Sequence, residues 1–87
     1  MSMMYTQSVA LWQAKGGKHF IELFEHETDG KVTCYSYRGR GCGGNLGMHQ
    51  SRALAIQAIE NGALRALKID FPSTKRIEPY TTMREVA

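Results

Sequence analysis

What this chain of 87 residues lacks bounds it before anything else does. No apolar run approaches a signal-peptide core, let alone the roughly 20 residues of a membrane span. The opening stretch MSMMYTQSVALWQ has no basic start, and its longest apolar run is Val9-Ala10-Leu11-Trp12. A cytoplasmic protein with no membrane partner is expected. Cysteine is scarce: Cys34 and Cys42 are the only two, and there is neither a Cys-x-x-Cys nor a His-x-x-x-His spacing among them and His19, His26 and His49. The paired-ligand signature of a zinc site is therefore missing, and no metal or cofactor is expected. In a reducing compartment the two thiols are expected to stay free, although their separation is one that a short loop could close. Acid is missing as well between Gly30 and Ile59, a stretch that holds Lys31, Arg38, Arg40 and Arg52. Half of the eight acids instead fall in the eight residues from Glu22 to Asp29. Such a chain has a dipolar surface, able to recruit a phosphate backbone or an acidic protein patch, or simply to keep the fold solvated.

Against these absences, 43% hydrophobic residues and 22% charged residues of mixed sign are those of a folded chain. A chain of this length buries only about 60% of the surface its unfolded form exposes, so one domain over residues 1–87 is expected. Its ends, 1–7 and 79–87, are expected to fray.

The clearest local signal is HFIELFEHETDGKVTCYSYR. Two stretches rich in Phe, Ile, Val, Thr and Tyr flank Asp29-Gly30, a step that accepts the positive backbone angles of a tight turn. A hairpin of 19–27 with 31–38 is predicted. The strand-like Ser8–Trp12 segment, joined through Lys15-Gly16-Gly17-Lys18, adds a third antiparallel strand. With a two-residue turn, Phe24 lies opposite Tyr35 and Glu22 opposite Tyr37. One face then carries Phe20, Glu22, Phe24, His26, Tyr35 and Tyr37, and the other Ile21, Leu23, Val32 and Cys34. A bulge at the turn would slip this register by one and regroup the faces.

From about Met48 the period lengthens: Leu54, Ala55, Ala58, Ile59, Gly62, Ala63, Ala66 and Leu67 recur at helical spacing. A helix with such small buried residues can lie close across the Ile21, Leu23, Val32, Cys34 face. Either it runs through to about Lys68, or Asn61-Gly62 ends it with a left-handed cap and 63–71 supplies a connector and a fourth short strand. Pro72–Arg76 reads as a turn. The predicted fold is α+β, a three-stranded or four-stranded antiparallel sheet packed on one main helix, in the order β-β-β-α-(β).

Between strand and helix stands RGRGCGGNLG, residues 38–47, with five of the nine glycines. Gly39, Gly41 and Gly44 satisfy G-x-G-x-x-G, but a dinucleotide site needs a parallel strand-helix-strand unit, and no Gly-Lys-Ser/Thr follows to make a P-loop. The stretch is also like a fragment of an arginine-glycine box, whose guanidinium groups stack on bases or fork onto phosphates. The plain alternative is a flexible reversal from sheet to helix. Arg38 and Arg40, with Lys15, Lys18 and Arg52, form the expected basic patch, and Phe24, Tyr35 and Tyr37 the expected aromatic contact surface. No nucleophile, base and orienting group are placed together, so a non-catalytic protein is expected.

The succession of an aromatic strand, the Thr28-Asp29-Gly30-Lys31 turn, a second aromatic strand, Leu46-Gly47 and a helix with Ala55-Ile56-Gln57-Ala58-Ile59 resembles the arm-site DNA-binding domain of lambda-type phage integrases. The resemblance covers residues 19–62. It implies a three-stranded sheet in the DNA major groove braced by the helix, although this chain has acids on its second strand where a DNA-facing sheet is basic. The same layout also looks like several small phage anti-CRISPR proteins, which block a host RNA-guided complex without catalysis. Both imply a mobile-element protein whose partner is nucleic acid or a host nucleoprotein complex. A second copy of the chain is a further candidate partner.

Overall fold

The computed structural model describes residues 4–39, 42–48, 51–77 and 83–85. They form six strands and two helices: β1 (Met4–Gln13), β2 (Phe20–Thr28), β3 (Lys31–Gly39), β4 (Cys42–Met48), α1 (Arg52–Asn61), α2 (Ala63–Asp70), β5 (Lys75–Ile77) and β6 (Met83–Glu85). The class is α+β, with more strands and one more helix than the sequence predicts. All strand pairs are antiparallel, in the order β4-β3-β2-β1, and the outer edge of β1 is shared by β5 beside Leu11–Gln13 and β6 beside Tyr5–Gln7. Met4–Gln7 and Met83–Glu85, within the ends expected to fray, are strand: the first pairs with β2 and the second with β1.

The β2–β3 hairpin turns on Asp29 and Gly30 at φ 52° and 80°, the left-handed pair of a two-residue turn. Beyond the expected turn the register still slips by one, because a bulge at Thr33 separates the Glu27–Val32 pair from the His26–Cys34 pair. The Thr33 hydroxyl donates to the His26 carbonyl across it at 3.3 Å. Tyr35 therefore faces Glu25 and Tyr37 faces Leu23, not Phe24 and Glu22 as a regular ladder would have it. Tyr35 and Tyr37 exchange faces with Cys34.

One side of the sheet carries Ala10, Trp12, Ile21, Leu23 and Tyr35, and on it pack Ala55 and Ile59 of α1 and Leu64 and Leu67 of α2. Each Leu or Ile so buried contributes roughly 1.5–3 kcal/mol. Ser51 caps α1 by accepting from the Leu54 N–H at 3.2 Å. The helix ends at Asn61, one of the two endings foreseen, but without the left-handed cap expected there and with a second helix in place of the connector and short strand. Gly62, at φ −124° and ψ −93°, is not left-handed; it interrupts the helix and α2 resumes at Ala63. Of the predicted stripe, Ala55, Ile59 and Leu67 are buried, whereas Leu54, Ala58 and Ala66 are exposed and Leu64 is buried in addition. Thr74 donates its hydroxyl to the Phe71 carbonyl at 2.7 Å, and the turn at Pro72-Ser73 gives way to β5 at Lys75.

Residues 42–48 are not a loop. They form β4, whose glycines are needed by its closeness to β3: a Cβ on Gly43 would lie 2.5 Å from the Tyr37 carbonyl oxygen, and one on Gly44 2.9 Å from the Tyr37 ring. Cys34 lies level with Met48 and Cys42 with Gly39, at opposite ends of the β3–β4 ladder, about 15 Å apart along the strands. No disulfide can join them, and Cys34 is a free thiol.

Candidate functional site

Cross-strand partners in an antiparallel sheet share a face, so the ladders define what lies on the side away from the helices. Its outermost row is Lys75, Gln13 and Phe20, and the next is Ile77, Leu11, Glu22, Arg38 and Gly43. Then come Ser8, Phe24, Ser36 and Asn45, followed by Thr6, His26 and Cys34.

Glu22, at the middle of this face, is buried and doubly satisfied. Ser8 Oγ donates to its Oε2 at 2.8 Å, and Arg38 Nε and Nη2 donate to its Oε1 at 3.1 and 3.0 Å. The two partners differ in exposure: 62% of the Arg38 side chain is open to solvent and 5% of Glu22. The guanidinium carbon sits 5.7 Å from the Phe20 ring centroid and 5.5 Å from that of Phe24, within cation–π reach of both. Farther along β2, His26 is held between Thr6 Oγ1 at 3.0 Å from Nδ1 and Ser36 Oγ at 2.6 Å from Nε2.

At the end of the sheet nearest Phe20 the basic residues gather. The β1–β2 turn is closed by the Ala14 N–H to the His19 carbonyl and the Gly17 N–H to the Ala14 carbonyl, with Gly16 and Gly17 at φ 92° and 79°. It exposes Lys15 and Lys18. β5 brings Lys75 beside Gln13, so that Lys15 and Lys75 line one open cleft of about 620 Å³ with Ser73 and Ile77. Arg76 lies 5.7 Å from the Trp12 ring centroid on the helix side. The turn is braced against the end of α2 by His19 stacked on Phe71 at 4.1 Å. The opposite end, at the β2–β3 turn, carries Glu27 and Asp29 with Lys31, so the dipole read from the sequence runs along the strands.

The expected site residues are thus divided. Lys15, Lys18, Arg38 and Phe24 belong to the basic end and the face away from the helices. Arg52 does not join them. From the start of α1 it donates through Nε and Nη2 to Glu25 Oε2 at 3.2 and 3.0 Å, and Tyr35 donates to the same oxygen at 3.0 Å. Tyr35, 4% exposed, is core; burial and the neighbouring Glu25 push its phenol above the ordinary 10.0, with Arg52 pulling the other way. Tyr37 is half-buried against α2, on a cavity of about 390 Å³ with Ile21, Ala63, Leu67 and Asp70. Arg40 lies outside the described residues. Sequence reasoning left Lys75 and Arg76 as part of a turn, because a three-residue strand has no periodicity to read.

Cys34 and Cys42 are apart, His49 is outside the described residues, and among those described no three His, Cys, Asp or Glu are placed to hold a metal ion. No described helix is long and apolar enough to cross a membrane. Comparison with known proteins finds no family model, no curated protein and no solved structure that matches the chain.

Proposed function

We propose that this protein is a non-catalytic nucleic-acid-binding module that works through the basic end of its sheet. The observation behind the reading is the convergence of Lys15 and Lys75 on one cleft, with exposed Lys18 on the same turn as Lys15. A cluster of exposed cations of one sign is the electrostatic footprint of phosphate binding. Glu22, on the neighbouring row of the sheet, is paired with Arg38 and 5% exposed. Relative to the sequence expectation, the contact moves from the glycine stretch to the turn and strand beside it.

Anisotropy titrations with a labelled single strand and a labelled duplex, repeated between about 50 and 200 mM salt, test this reading. Each lysine that neutralises a phosphate contributes about 0.7 to the slope of log affinity against log salt on a single strand and about 0.9 on a duplex. Lys15→Ala with Lys75→Ala should lower that slope by roughly 1.5–2. No binding of either form at low salt would dismiss the proposal.

A second reading, a stoichiometric inhibitor of a host protein complex, has its own support. β4 lies at the edge of the sheet, and Cys42–Met48 contains neither charge nor proline, the usual guards of an open edge. Such an edge can accept a strand from a partner. A complex with host protein that survives high salt and size-exclusion chromatography would favour this reading over the first.

A further inference from the structure

We infer that the ligand is single-stranded nucleic acid, whose bases stack on a platform formed by Phe20, Arg38 and Phe24 on the face of the sheet away from the helices. The inference rests on the nucleic-acid reading above and names the form of the ligand and the surface that takes it.

Three features of the face bear on it. Phe20 and Phe24 are on the same strand and the same face, both half-buried, and the Arg38 guanidinium carbon lies over the two rings at 5.7 and 5.5 Å from their centroids, so rings and guanidinium form one aromatic and cationic cluster on this face. A duplex hides the faces of its bases and offers edges and phosphates, whereas a single strand offers faces, which aromatic rings and guanidinium planes accept whatever the base. The second feature is the state of Arg38. It spends Nε and one Nη2 hydrogen on Glu22, and a guanidinium has five N–H donors. Among the described residues the others meet no acceptor, and on a side chain 62% exposed they can reach a base edge or a phosphate oxygen. Glu22, 5% exposed and bonded on both oxygens, fixes the guanidinium in place, and the pair as a whole adds no net charge to the face.

The third feature is continuity of charge. Phe20 shares its row with Gln13 and Lys75, and the turn with Lys15 and Lys18 leads directly into it. A strand lying across the rings therefore has cations for its phosphates at one end of the platform. An apolar protein partner would have no use for that arrangement.

The experiment compares wild type with Phe20→Leu, Phe24→Leu and Phe24→Trp, using an oligothymidylate and a mixed-sequence duplex at matched salt. The single strand should bind more tightly than the duplex. Each leucine variant should lose about tenfold in affinity for it, with the salt slope unchanged because a ring neutralises no phosphate. Phe24→Trp should restore or exceed wild-type affinity. If a leucine variant fails to fold, cross-linking of wild type to a bromodeoxyuridine strand decides the matter, since adducts should map to the peptides of β2 that hold Phe20 and Phe24. Duplex bound as tightly as single strand, with no effect at the rings, overturns this inference and leaves the basic end as a duplex site. Adducts confined to the helices or to β4 overturn it too. No binding of either form removes both.

Discussion

An alanine at Gly43 should destabilise this protein more than an alanine at Gly44, although the two are neighbours on one edge strand. The new Cβ at Gly43 would stand 2.5 Å from the Tyr37 carbonyl oxygen and 3.2 Å from the Arg38 Cα, where ordinary contact begins at 3.4 Å. Both obstacles are backbone, so no rotamer change relieves them and β4 has to withdraw from β3 by most of an ångström. Overpacking of this kind costs about 1–3 kcal/mol, offset by the roughly 0.5–1 kcal/mol that alanine gains by restricting the unfolded chain. The net loss is about 1–2 kcal/mol, or roughly 5–15 °C in Tm for a domain of this size. At Gly44 the obstacle is the Tyr37 ring at 2.9 Å, a half-buried side chain that can tilt, and the loss should stay below about 1 kcal/mol. Thermal and urea unfolding followed by circular dichroism measure the difference. Hydrogen exchange should accelerate in β4 of the Gly43 variant ahead of the rest of the sheet. Were residues 42–48 a loop with room around it, both alanines would be neutral or mildly stabilising; that result, or a reversed order, would refute the close-packed strand.

Tyr35→Phe should remove a pH dependence at the alkaline end. The folded phenol ionises later than the unfolded one, so above about pH 10 the unfolded state gives up its proton first, and stability present below that pH falls as pH rises through the folded value. Wild type should lose stability over that window relative to the variant, and parallel alkaline unfolding curves would contradict it. Ser51→Ala should cost about 1 kcal/mol through loss of the hydroxyl that accepts from Leu54 N–H, whereas Ser51→Asp should be close to neutral; equal loss in both would show that the cap contributes nothing.

Legibility in the sequence followed the range of the interactions. The β2–β3 hairpin could be read because Asp29-Gly30 encodes its turn locally, and the helical region because Ala55, Ile59 and Leu67 keep their spacing. The bulge at Thr33 could not. It is selected by where the Tyr35 and Tyr37 rings find cover, against helices that begin more than a dozen residues later. β4 was hidden for a related reason: Gly43 and Gly44 read as flexibility, whereas they let β4 lie close against Tyr37 and Arg38 of β3. At the basic end, Lys15, Lys18 and Arg38 were marked by charge alone. Lys75 joins them only because β5 returns to β1, and Arg52 leaves them because Glu25, on the same side of β2 as Ile21 and Leu23, captures it.

The sharing of β1 between β5 and β6 sets the order in which the protein can form. The ladders β1–β2, β2–β3 and β3–β4 each join segments adjacent in sequence, whereas residue 11 pairs with residue 77 and residue 5 with residue 85. Closing those long loops costs entropy that the local hairpins do not incur, so the outer edge of β1 is completed last. Until then Val9-Ala10-Leu11-Trp12 lies along an open strand edge, the kind of segment on which chains pair with one another. The yield of native protein during refolding therefore depends on concentration through one competition, between the arrival of Lys75–Ile77 and the arrival of another molecule.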